Sequence, residues 1–144
     1  MSTQQRNRAC VVRVDPSTAD VLRTQTLVVL EANHYFFEEI LEFGPEAQHA
    51  LSVIYRDAFA VLDAIGWSPT PAAGSIDVPL TDGHIDQLRR CSYDLRVTNI
   101  NRSDQLDAVT DQEAAAIRDD LAANLAAVHT LDHLISNYAQ ATSD

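Results

Sequence analysis

Every proline in this chain lies at the start of, or between, four long stretches in which apolar residues recur at intervals of three and four. That spacing puts the apolar side chains on one side of a helix; the strand interval of two is confined to two short runs. The chain is thereby committed to long helices with brief connections. Four amphipathic helices bury their stripes most economically as a four-helix bundle. The expected class is all-α, in a single domain over residues 1–144, with 1–9 and 140–144 flexible.

Local signals place the elements. Cys10 to Val14 is β-prone and precedes a helix start at which Asp15 or Ser17 can cap and Pro16 suits the first turn. The first helix runs to about Phe43, where Gly44-Pro45 stops it. The second follows at once, carrying Ala47, Leu51, Ile54, Ala58, Leu62 and Ile65 on one stripe; Gly66 ends it and Trp67 can fold back on its last turn. The short link makes these two an antiparallel hairpin. Residues 67–80 form a connection in which Ser75 to Val78 can pair as an edge strand with residues 10–14. The third helix opens at Thr81-Asp82, turns Ile85, Leu88, Cys91 and Leu95 inward, and ends around Asn99 to Asn101. Thr110 to Glu113 is a capping box for an alanine-rich fourth helix reaching about Ala139, whose expected inward stripe is Ile117, Leu121, Leu125, Val128 and Ile135. Val12-Arg13-Val14 before Ser17 and Ile76-Asp77-Val78 before Thr81 give the two halves the same order, strand run then cap then helix.

The first helix carries more apolar surface than one bundle face needs. Leu22, Val29, Phe36, Ile40 and Phe43 form one line, and Leu27, Leu30, His34, Phe37 and Leu41 form a second on another face. A second line calls for a second cover, and a two-fold homodimer through Leu27, Leu30, Phe37 and Leu41 supplies it. The alternative is cover within one chain, by the N-terminal strand and the 67–80 connection. The same helix holds Glu31, Glu38, Glu39 and Glu42, while the third holds Arg89, Arg90, Arg96 and Arg102, an asymmetry able to set which helices pair within or between chains.

One constellation could carry chemistry. Glu31, His34 and Glu38 share a face of the first helix, and His129 and His133 share a face of the fourth, beside Asp132. Imidazole and carboxylate are ligands for zinc, iron or nickel, and facing helices are a common way to gather them. His34 and His129 fall level if the first and fourth helices run parallel, and miss by on the order of 10 Å if antiparallel. Parallel running needs an up-down-down-up bundle, and the long connection between the second and third helices, about 45 Å when extended, permits that crossover. A ferritin-like di-iron pattern fails, because only Glu31 to His34 matches its Glu-x-x-His element. His129 and His133 with an upstream histidine loosely resemble the metal site of DinB-like bundles, which include thiol-dependent transferases. In that family the third histidine comes from the second helix, whereas His34 is on the first, so membership is not assigned. His49 and His84 read as surface residues at helix starts.

Composition narrows the rest. Net charge is -11 and all ten basic residues are arginine, so a phosphate backbone repels the chain, and Schiff-base or P-loop lysine chemistry has no residue to use. No glycine-rich nucleotide loop or nucleophile elbow occurs. Two cysteines outside any paired motif fit a reducing compartment, and no apolar run is long enough for a membrane span or a signal peptide, so a cytoplasmic protein is expected. The first functional expectation is a non-catalytic homodimer, without cofactor, that binds a protein of basic surface. The second is a metal-dependent bundle enzyme, a hydrolase or thiol transferase, using His34, His129 and His133 with Glu31 or Glu38.

Overall fold

A computed structural model describes residues 8–69 and 74–143; the first seven residues and Asp144, expected to be flexible, lie outside the described residues. The order is β1 (Cys10–Val14), α1 (Pro16–Tyr35), α2 (Phe37–Glu42), α3 (Pro45–Ile65), β2 (Ile76–Leu80), α4 (Asp82–Ser103), a single 3-10 turn (Leu106–Ala108) and α5 (Asp111–Thr142). The described chain is thus mostly helical with one small sheet.

The helix starts follow the local chemistry. Asp15 accepts the Thr18 N–H at 2.7 Å, Thr81 accepts that of His84, and Thr110 and Glu113 close the reciprocal capping box. β1 and β2 pair antiparallel in the register Cys10 with Leu80, Val12 with Val78 and Val14 with Ile76. Val12, Val14, Val78 and Leu80 point into the core, while Arg13 and Asp77 form an ion pair on the open face. The 67–80 connection therefore carries a strand that returns beside β1. The expected strand pairing is present, with β2 two residues longer at its C-terminal end than the sequence suggested.

Two antiparallel helix pairs flank the strands. In the first, the buried Arg23 of α1 donates from Nε to the Gly66 carbonyl and from Nη2 to the Ile65 carbonyl, both at 2.9 Å. These carbonyls sit at the C-terminal end of α3, where a helix leaves acceptors unsatisfied and its dipole favours a cation. The second pair, α4 with α5, is registered by a polar ladder. Asp82 accepts from Tyr138, Asp132 from Ser92 and Arg96, and Asp120 from Arg102, while Asn99 and Asn124 bond across the middle. Ascending numbers on α4 meet descending numbers on α5. Between the pairs, Leu22, Val61, Leu80, Leu88 and Leu131 are fully buried. α1 packs against α3, α4 and α5, with Ala19, Leu22, Arg23, Gln25, Thr26 and Val29 buried over a broad arc.

Two packing expectations are corrected. The first helix is not continuous to Phe43: Phe36, at φ -98° and ψ 15°, ends α1 and starts α2. Its buried line stops at Val29, and Phe36 and Phe43 are exposed. On α5, Leu125 faces outward, and the core stripe runs through Ile117, Val128, Leu131, Leu134 and Tyr138. The place expected of Leu125 belongs to Asn124, whose side chain is tied to Asn99.

Candidate functional site

Beyond Val29 the last turns of α1, the break at Phe36 and α2 form an end of the molecule without a buried residue. None of the residues of α2 is buried. Tyr35, Phe36 and Phe43 are 78%, 52% and 80% exposed, and Leu27, Phe37 and Leu41 each retain 37%. Leu30, expected in the same interface, is half-buried against the chain itself. Tyr35 and Phe36 meet edge to face at 4.9 Å between ring centres, and His34 lies against Phe37 at 6.3 Å, giving two ring pairs at this end. Contiguous exposed aromatic surface is uncommon on a monomer and marks contact with another molecule.

This end is also acidic. Glu31, Glu38, Glu39, Glu42 and Glu46 are all exposed, no arginine falls between Arg23 and Arg56, and among the described residues none of these glutamates has an ion-pair partner. The arginines of α4 meet other acids: Arg89 pairs with Asp86, Arg96 with Asp132 and Arg102 with Asp120. The expected match of helix glutamates to α4 arginines is therefore not made within one chain.

The candidate metal ligands are not brought together. Glu31 and His34 are exposed at the far end of α1 and Glu38 on α2, and His129 and His133 are exposed on α5. His133 lies near Asp15, at the start of α1. The Asp15 carboxyl is held below its usual range, first by its cap bond with Thr18 and in smaller part by this imidazole. His34 is about 28 Å further along the helix at roughly 1.5 Å per residue. Among the described residues no three His, Cys, Asp or Glu side chains are placed to hold one metal ion.

One residue that sequence reasoning assigned to the surface is in the interior. His84, in the first turn of α4, is 1% exposed; its Nε2 lies 3.1 Å from the Thr26 hydroxyl, and its buried Nδ1 has no hydrogen-bond partner among the described residues. Beside it the buried Asp57 accepts from Thr81 at 2.8 Å and from Arg56. Burial pulls the imidazole pKa down to about 4, and the Asp57 charge offsets this only in part. The neutral ring joins α1 to α4, a role helix periodicity could have suggested, since His84 stands seven before Cys91 on the inward face. Cys91 is buried as expected, and burial raises its thiol pKa to about 11. At the same end of α4, burial and then the Asp82 bond raise the Tyr138 phenol.

No protein-family model matches the chain, and no curated protein or solved structure matches it either. No helix of the described residues is long and apolar enough to cross a membrane.

Proposed function

We propose that this chain is a non-catalytic helical protein that works by association: it forms a homodimer through the C-terminal half of α1 and α2, and engages other proteins from that dimer. The support is the aromatic end formed by Tyr35, Phe36, Phe37 and Phe43, which the chain's own core leaves open. The expected interface residues Leu27, Phe37 and Leu41 each have just over a third of their surface left to cover, so each contributes about 0.5–1 kcal/mol on further burial. The more exposed Phe36 and Phe43 contribute about 1–2 kcal/mol each by the same scale. The interface is therefore centred nearer the break in the helix than the sequence stripe implied.

The acidic remainder of the surface favours a partner with a basic face and disfavours nucleic acid. Two unpaired cysteines, one of them buried, fit the reducing cytoplasm. The metal-dependent reading would need His34 and His133 carried together from opposite ends of α1, so association is the better-supported function.

Phe43→Arg and Phe36→Arg test the reading, since both positions are exposed and neither belongs to the core. Light scattering on a sizing column is expected to report a dimer for the natural chain and a folded monomer for the double variant. A dimer that survives both substitutions would remove this surface from the account.

A further inference from the structure

A groove runs between α1 and α4, walled by Val28, Ala32 and Phe36 on one side and by Gln87, Arg90 and Asp94 on the other, with Cys91 below. Its volume is about 260 Å³, and an apolar cavity of roughly 150 Å³ already accepts a benzene ring. The groove is thus large enough for an aromatic side chain. Phe36 and Val28 belong both to this wall and to the exposed end, so the groove opens onto that end.

Arg90 stands on the rim, exposed, and among the described residues has no ion-pair partner, unlike Arg89, Arg96 and Arg102 on the same helix. On α2, Phe37 and Leu41 are four apart and so share a face, and Glu38 and Glu42 flank them one residue on. α2 therefore offers an apolar pair bordered by two unpaired carboxylates, and the groove offers an apolar wall bordered by an unpaired guanidinium. The two features complement each other in shape class and in charge, and α2 already belongs to the proposed dimer surface.

We infer that α2 of one copy seats in the α1–α4 groove of a second copy, with Glu38 and Glu42 facing Arg90 across a two-fold axis. This rests on the proposed homodimer and specifies its geometry. Under two-fold symmetry the contact is made twice, which closes the assembly at two copies. It also gives the acidic end a basic counterpart, so that the glutamates of the two copies are not left to repel one another. Asp94, on the same rim, tempers Arg90 and steers the approaching carboxylates to the Arg90 side.

Charge exchange between separately purified variants tests the inference. Arg90→Glu alone, and Glu38→Arg with Glu42→Arg, should each weaken dimerisation about tenfold or more in sedimentation velocity, because like charges then meet at both contacts. Mixing the two variants in equal amounts should restore a dimer of near-natural affinity. In the mixed pair the introduced charges oppose each other at one contact and the natural ones meet at the other. If the natural chain is a dimer and Arg90→Glu dimerises within about twofold of it, the groove is not the seat, while the homodimer reading stands. A mixture no tighter than its components overturns the inference in the same way. A natural chain that stays monomeric to about 100 µM overturns both and leaves the surface to a different protein.

Discussion

Mild acid should destabilise this fold through His84. In the native state the imidazole is neutral because it is buried, with a pKa of about 4 against an ordinary 6.5. Between those values the unfolded chain binds a proton that the folded chain refuses, so the unfolded state gains as pH falls. A depressed histidine thus contributes no loss above about pH 7, progressive loss between 6.5 and 4, and a constant deficit below. From these two values the loss is about 2 kcal/mol between pH 7.5 and 5, and about 3 kcal/mol when complete. Against a typical domain stability of roughly 5–15 kcal/mol this is a large fraction. The assay is urea unfolding at pH 7.5, 6 and 5, at one protein concentration, for the natural chain and for His84→Gln. Glutamine can still hydrogen-bond the Thr26 hydroxyl but does not titrate. The natural chain should lose about 2 kcal/mol more than the variant over that range. Equal losses in the two proteins would show that His84 is not a buried neutral imidazole, and the packing of α4 on α1 described above would be wrong.

Three further outcomes follow from the same packing. Arg23→Ala leaves the Ile65 and Gly66 carbonyls without their donors and should cost about 2–4 kcal/mol in urea unfolding; under 1 kcal/mol would mean water replaces the guanidinium freely. Leu131→Ala should cost about 2–5 kcal/mol, whereas Leu125→Ala should cost under about 1, and the reverse order would restore the stripe first expected on the last helix. In the folded protein at pH 8, Cys10 should react with a thiol reagent well before Cys91, whose thiol is buried with a pKa of about 11; equal rates would place Cys91 at the surface.

The features legible in the sequence were those decided locally. Asp15, Thr81 and Thr110 cap because each oxygen sits three residues before an N–H that the helix leaves free. Trp67 was expected to fold back on α3, and its indole does bond Asp63 and pack against Phe59. The β-prone runs Cys10 to Val14 and Ser75 to Val78 pointed to the strands and their pairing, though not to the extension of the second through Leu80. What failed was decided by neighbours distant in sequence. Periodicity marks a helix face without saying how far along the helix the core extends, so Phe36 and Phe43 were drawn inward with Leu22 and Val29. On α5 the buried stripe steps through Ile117, Val128, Leu131, Leu134 and Tyr138, with the half-buried Leu121 and Asn124 continuing it between Ile117 and Val128. Asn124 hides its regularity because its partner, Asn99, is on another helix. His84 was assigned to the surface for the same reason: a polar residue at a helix start is ordinarily solvated, and only the Thr26 hydroxyl opposite makes its burial tolerable. The histidine constellation assumed that His34 and His129 stand level, and among the described residues no three such side chains gather to hold one ion.

Sedimentation equilibrium of the natural chain, without tag, from about 1 to 100 µM tests self-association most directly. The mass should rise to twice that of the monomer and no further, with Phe36→Arg/Phe43→Arg held at the monomer mass over the same range. A natural chain that remains monomeric throughout, with Tyr35, Phe36 and Phe43 still open to solvent, would contradict it.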